Sequence, residues 1–172
     1  MEYSGVESGV EYGGHPCYSE LTYQTLRMNP AQQPAPYVHS SRVRVRYAET
    51  DRMGVVYHAN YLVWCEIGRT DFIRATVASY ASLEREGVML AVAECSIRYL
   101  RAAVYDDEVE VRTRLVDVRS RTLEFAYDLV HVERGERLAT ARTTLVRLEP
   151  SGRPSVLPEQ LRVALARTVS PG

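Results

Sequence analysis

Arg42-Val43-Arg44-Val45-Arg46-Tyr47-Ala48-Glu49-Thr50-Asp51-Arg52-Met53-Gly54-Val55-Val56-Tyr57-His58-Ala59-Asn60-Tyr61 carries the chain from one structural period to another. From Ser41 to Tyr47 apolar and basic residues alternate, the pattern of a half-buried strand. Ala48 to Val56 breaks the alternation, and Gly54 supplies a turn. From His58 a helical pattern takes over. Tyr61, Trp64, Cys65, Gly68, Phe72 and Ala75 recur at steps of three and four and form one apolar stripe. Gly68 on that stripe has no side chain, so another backbone can approach closely there.

Downstream, Tyr80 to Glu86 reads as a short helix that ends at Gly87. The period then becomes two. Cys95, Ile97 and Tyr99 alternate with Glu94, Ser96 and Arg98, and Val109, Val111 and Leu115 alternate with Glu110, Arg112 and Arg114. Leu123, Phe125, Tyr127 and Leu129 alternate with Glu124 and Asp128, and a last run extends from Leu138 to Leu148. Short turns at Val118-Arg119-Ser120-Arg121 and Arg134-Gly135-Glu136 join three of these strands into an antiparallel meander. A final helix is expected from Glu159 to Arg167, after Pro158. One sheet of about five strands with a single apolar face, and one long helix to cover it, gives a two-layer α+β domain.

That domain is expected to occupy residues 41–172. Residues 1–40 differ: Gly, Ser, Glu, Tyr, Pro and Gln dominate, no period is sustained, and Asn29-Pro30-Ala31-Gln32-Gln33-Pro34-Ala35-Pro36 reads as a linker extended by its prolines. A flexible N-terminal extension of unassigned role is expected there.

The 172 residues suit a single core, with 45% hydrophobic and 25% charged side chains. A formal charge of -1 leaves no basic footprint for nucleic acid. Every basic side chain other than histidine is Arg, which removes lysine chemistry such as Schiff-base formation. Cys17, Cys65 and Cys95 are widely spaced, without a CxxC pair; Cys65 in the helical stripe and Cys95 in a strand pattern read as buried free thiols. His15, His39 and His131 share no metal-ligand spacing, so no metal is expected. The sequence shows no apolar run long enough for a membrane span and no basic-then-apolar start, so a cytoplasmic protein is expected.

The chemistry concentrates between the first strand and the long helix. A helix N-terminus presents free N–H groups and the positive end of the helix dipole, a place for developing negative charge. Asp51, seven positions before His58, can fold back over that terminus through the Gly54 turn. This pairs a base or nucleophile with an oxyanion hole, as acyl transfer requires. An Asp three residues before a Gly is also a common turn-stabilising side chain, and the residues alone leave both readings open. Glu49 and Glu66 are rival acids. Glu49 shares a face with Asp51 if the segment is extended, and both acids have structural alternatives as ion-pair partners of Arg46 or Arg69.

The run Tyr47 to Tyr61, followed by Glu66 and Arg69-Thr70, resembles the signature of the 4-hydroxybenzoyl-CoA thioesterase-like hotdog family. It is nearest to the short-chain acyl-CoA thioesterases associated with the Tol-Pal envelope system. The resemblance continues through Ile97-Arg98-Tyr99 and Tyr105-Asp106-Asp107 and covers about Arg42 to Leu157.

The resemblance implies a hotdog fold, with an antiparallel sheet wrapped around the long helix. It implies hydrolysis of acyl-CoA to free acid and coenzyme A, with no cofactor. It also implies a homodimer or dimer of dimers with active sites at the subunit interface. The family's catalytic acid falls on Asp51, as nucleophile or general base, and its thioester-holding backbone N–H falls on His58. Tyr57 and Asn60 line or brace the same pocket. Arg119 and Arg121 match the family's nucleotide-binding turn in position. Another hotdog subgroup uses a helix carboxylate, which makes Glu66 an alternative acid. A non-catalytic module that binds acyl-CoA or an acyl carrier protein is the competing function. Acyl preference is not legible in the sequence.

Overall fold

The structure, a computed structural model, describes residues 37–169. Strand β1 (His39–Arg44) leads through one 3-10 turn (Tyr47–Glu49) to helix α1 (Asn60–Thr76) and the short helix α2 (Tyr80–Arg85). Four long strands follow: β2 (Met89–Tyr99), β3 (Glu108–Val118), β4 (Thr122–His131) and β5 (Arg137–Leu148). Helix α3 (Glu159–Ala166) comes last.

The five strands form one antiparallel sheet in the order β1-β3-β4-β5-β2. The expected meander is β3-β4-β5, with the earlier strands added at its two edges. Strand β2 pairs with β5 from Met89 opposite Leu148 to Tyr99 opposite Ala139, with a register shift between Val92 and Glu94. Together with α1 against one face, this is the expected hotdog architecture.

The core lies between α1 and the sheet. Val109, Val111 and Leu115 on β3, and Leu123, Phe125, Tyr127 and Leu129 on β4, are buried as their alternation requires. Helix α1 buries Tyr61, Trp64, Cys65, Gly68 and Phe72, and Phe72 meets Phe125 edge-on at a centroid distance of 5.5 Å. Arg69 and Ile73 are buried as well, while Ala75 is exposed. The stripe follows the ridge of side chains four apart, 61-65-69-73, so it leaves Ala75 outside. At Gly68 the space is taken by the side chains of Val111 and Thr113 rather than by another backbone.

Three further expectations change. Strand β1 starts at His39, so the boundary placed at residue 40 falls inside it, and residues 1–36 of the expected extension lie outside the described residues, with His15 and Cys17. Helix α1 starts at Asn60 rather than His58. Cys65 is buried, which pushes its thiol up to about 12, but Cys95 is exposed. Cys95 sits on an edge strand whose residues are largely exposed, because one edge of β2 has no neighbouring strand among the described residues.

A Cβ at position 68 meets Val111 Cγ1 at 2.8 Å and Thr113 Oγ1 closer still. Gly68→Ala is therefore expected to push α1 off the sheet and destabilise the fold by about 1–3 kcal/mol, despite the higher helix propensity of alanine. Urea unfolding of the full chain checks this; unchanged or increased stability contradicts it.

Candidate active site

The segment from Val45 to Asn60 has little regular structure, and its backbone is held at three places besides its own tight turns. Val45 N–H donates to the Asp107 carbonyl (2.9 Å), and Asp106 N–H donates to the Val45 carbonyl (3.0 Å). Val56 N–H donates to the Ala103 carbonyl (2.9 Å), next to an antiparallel bridge between Val55 and Val104. The third partner is Glu49, whose carbonyl accepts from Tyr57 N–H (2.9 Å) and Asn60 Nδ2 (2.8 Å).

The Glu49 side chain is only 5% exposed. Its carboxylate accepts from Arg46 N–H (2.8 Å), from the Arg46 guanidinium (2.9 Å) and from Trp64 Nε1 on α1 (3.2 Å). Burial alone raises the pKa of Glu49, but these donors outweigh it and hold the carboxyl below its usual value. Glu49 and Asp51 do not share a face, since the 3-10 turn sends Glu49 into the core. Glu49 is a structural tether.

Asp51 closes the next turn. Its N–H donates to the Val55 carbonyl (2.8 Å), and its carbonyl accepts from Gly54 N–H (3.0 Å). Gly54 has φ +78°, the left-handed backbone that glycine adopts without strain. Asp51 Oδ1 accepts from Met53 N–H (2.8 Å), whereas Oδ2 has no donor among the described residues. Turn stabilisation therefore occupies one oxygen and leaves the other available.

His58 precedes the first turn of α1. Its carbonyl accepts from the Tyr99 hydroxyl (2.9 Å), and its ring packs on Tyr57 at 4.3 Å. Among the described residues no acceptor takes the His58 N–H. Below it, Tyr61 Oη accepts from Ala103 N–H (3.0 Å), fixing α1 to the loop after β2.

Asp51 and His58 line one cleft of about 370 Å³ with Met53, Val55, Tyr61, Tyr99, Leu100 and Arg101. Asn60 braces the cleft through Glu49, and Tyr57 supports His58; neither lines it. Glu66 lies elsewhere, in a separate cleft of about 350 Å³ on the outer side of α1, 3.8 Å from Arg69. Arg119 and Arg121 flank the β3–β4 turn and do not line the cleft of their own chain; Arg119 pairs with Asp117 at 2.6 Å. A second hollow, of about 320 Å³, lies between Arg98, Arg114, Asp128, Arg137 and Arg142, where Arg114 and Arg137 pair with Asp128 (2.6 and 3.2 Å) and Arg142 pairs with Glu124 (2.6 Å).

Two supports are absent from the sequence reading. Tyr99 reaches His58 across 41 residues, a contact that no local pattern announces. His131, buried at the end of β4, places Nε2 3.2 Å from Asp107 Oδ1, while its Nδ1 accepts from Arg134 N–H (3.1 Å). Asp107 Oδ2 accepts from Val104 N–H (2.9 Å), so this pair holds the loop on which the Val55–Val56 segment rests. Burial raises the Asp107 carboxyl, but Val104, His131 and Arg134 together bring it below its usual value. Among the described residues no group of acids, histidines and cysteines is arranged to hold a metal ion.

A carboxylate with a free oxygen, an unused N–H at a helix start and an apolar cleft between them suit attack on a carbonyl. Residues 45–165 match the family model of the thioesterase-like superfamily. The chain belongs to that superfamily. It is 39% identical to the putative acyl-CoA thioesterase YneP of Bacillus subtilis over 93 residues, covering 54% of this chain and 67% of YneP. It is 33% identical to the acyl-CoA thioester hydrolase YbgC of Escherichia coli O6:H1 over 120 residues, covering 69% of this chain and 89% of YbgC. The crystal structure of the DHNA-CoA thioesterase from Staphylococcus aureus superposes with a TM-score of 0.72 at 29% identity, covering 76% of this chain and 89% of that one.

Glu49→Ala leaves Trp64 Nε1 and Arg46 N–H without their acceptor, and is expected to destabilise this thioesterase-fold domain by about 2–4 kcal/mol in thermal or urea unfolding. The depressed values of Glu49 and Asp107 also set a pH dependence. Their contribution is complete above the ordinary carboxylate range of about pH 4, and is lost as pH falls through the lowered values. Acid titration of Glu49→Gln should show a shallower loss of stability than wild type; identical acid limbs contradict the assignment.

Proposed function

We propose that the chain hydrolyses acyl-CoA thioesters to free acid and coenzyme A, with Asp51 as the reacting carboxylate and the His58 N–H as the oxyanion donor. Membership of the superfamily places the chain among thioesterases; the residues and the route are the proposal. One observation supports it most directly: Asp51 and His58 face the same cleft, with Asp51 Oδ2 and the His58 N–H both unengaged among the described residues.

The thioester carbonyl oxygen sits against the His58 N–H at the start of α1, where the helix dipole favours negative charge. In one route Asp51 forms a C–O bond to the carbonyl carbon, the C–S bond breaks, and the thiolate takes a proton from water. Water then attacks the Asp51 carboxyl carbon of the resulting anhydride, the bond from that carbon to the bridging oxygen breaks, and the free acid leaves as a carboxylate. In the other, Asp51 takes a proton from water as the water oxygen bonds to carbon, and that proton passes to the departing sulfur. A single turnover in oxygen-18 water labels the Asp51 carboxylate only in the first route.

The functional unit we infer is a homodimer. Among the described residues, strand β2 has a free outer edge with exposed Val92 and Tyr99, and α1 exposes Leu62, Val63 and Ile67. Joining two β2 edges continues the sheet, covers this apolar surface and closes the cleft beside Tyr99. Arg119 and Arg121 then meet the coenzyme's phosphates from the partner subunit's side of the interface. No described helix is long and apolar enough to cross a membrane; we place the enzyme in the cytoplasm, where coenzyme A esters are made.

Thiol release from a panel of acyl-CoAs tests this reading. Asp51→Asn, with folding verified, is expected to lower kcat/KM by about 10²–10⁴-fold. His58→Ala keeps the N–H and is expected to stay within about tenfold of wild type, since loss of such a donor is what causes the large effects. Full activity in Asp51→Asn shifts the chemistry to Glu66. Absence of turnover by wild type on every ester, carrier-protein thioesters included, supports a binding module instead.

A further inference from the structure

Arg101 is the only cationic side chain among the described residues that line the cleft of Asp51 and His58. Most of the remaining wall is apolar: Met53, Val55, Val56, Leu100 and Ala102, with the Tyr61 and Tyr99 rings. The origin of the Arg101 side chain is fixed, because the N–H groups of Leu100 and Arg101 both donate to the Leu138 carbonyl (2.8 and 3.0 Å). This double anchor lies directly after Tyr99, the residue that holds His58.

The counter-ion of Arg101 is Glu136, on the β4–β5 turn, at 3.5 Å. That pair is long, and its side chains are 61% and 36% exposed, so it contributes little to stability and exchanges readily for another carboxylate. Arg101 thus lines an apolar cleft that also holds Asp51, while its guanidinium rests on a loosely held partner outside the cleft and has to swing from Glu136 to face it.

We propose that Arg101 is a subsite for a carboxylate carried on the acyl chain, and that the preferred substrates are thioesters of short dicarboxylic acids. This rests on the thioesterase reading of the cleft. An anionic acyl chain is repelled by Asp51, and a planar guanidinium that can take a carboxylate through two N–H donors offsets that repulsion. The apolar wall of the cleft suits the methylenes of a short acyl chain. The whole pantetheine arm separates the coenzyme's phosphates from the carbonyl at Asp51, whereas the far end of a short acyl chain stays beside it.

The full chain is tested as wild type, Arg101→Gln, Arg101→Lys and Glu136→Gln. Thiol release is measured with glutaryl-CoA and pentanoyl-CoA, which have equal chain length and differ by the terminal carboxylate. Binding of the unreactive thioethers S-(4-carboxybutyl)-CoA and S-pentyl-CoA is measured by calorimetry. Wild type is expected to favour the carboxylated member of each pair. Arg101→Gln should reduce that preference by about 10- to 100-fold, Arg101→Lys should retain part of it, and Glu136→Gln should increase it. Two results overturn the proposal: no preference in wild type, or equal weakening of both thioethers by Arg101→Gln, which places the guanidinium on the coenzyme's phosphates. If no ester is hydrolysed but the thioether preference is present and disappears in Arg101→Gln, the subsite stands and the hydrolytic reading fails.

Discussion

The arrangement of the cleft depends on one buried carboxylate that takes no part in the proposed chemistry. Glu49 binds the end of the first strand through Arg46 N–H, α1 through Trp64 Nε1, and the approach to α1 through its own carbonyl. Removing a carboxylate from water is costly, and here two N–H donors and a guanidinium offset the loss. Side-chain length then decides which acid does what. The extra methylene of Glu49 lets it reach back three residues to Arg46, as in a capping box, while the shorter Asp51 bonds two residues forward to Met53. Two acids separated by a single residue thus meet opposite environments, one dry and saturated, the other at the cleft with an oxygen to spare.

Features encoded by local period or turn chemistry were legible in the sequence. The stripe from Tyr61 to Phe72, the β3-β4-β5 meander and the Gly54 turn each follow from residues close together in the chain. Asp51 and His58 were within reach for the same reason: seven residues and one turn separate them. Contacts across the fold were not legible. Tyr99 to His58 and Tyr61 to Ala103 span 41 and 42 residues, and nothing in the alternation of β2 distinguishes a central strand from an edge. That ambiguity misplaced Cys95. Strand β2 follows α2 in the chain, yet the sheet order puts it beside β5 at the rim, where burial is incomplete.

The two rims of the sheet are built differently. Strand β1 is six residues long and carries Arg42 and Arg44, both paired with Glu108 across to β3. Short length and charge discourage further strand pairing. Strand β2 is eleven residues long and exposes Val92 and Tyr99. On the outer face of the sheet, Arg112–Glu110, Arg114–Asp128 and Arg142–Glu124 pair at 2.6 Å. Such exposed pairs add little stability singly, but they keep that face hydrated and unlike an interface core. Among the described residues, charge therefore protects one rim and one face, and the unprotected rim is the one whose last residue, Tyr99, holds the His58 carbonyl. Under the proposed homodimer, self-association along β2 and completion of the active site are a single event.

The two readings of Asp51, as turn residue and as reacting group, are not rivals once its oxygens are considered separately. The bond from Met53 N–H to Oδ1 fixes the carboxylate plane relative to the 51–55 turn, and that turn is fixed to Ala103 and Val104. Oδ2 thereby has a defined direction without a bond of its own. Lengthening the side chain to Glu keeps the charge but shifts the carboxylate by a methylene and breaks its match to Met53, so a charge-conserving change still loses the aim. On the proposed mechanism the structural bond preorganises the chemical one: the turn fixes the Asp51 carboxylate and Tyr99 fixes the His58 carbonyl at the start of α1.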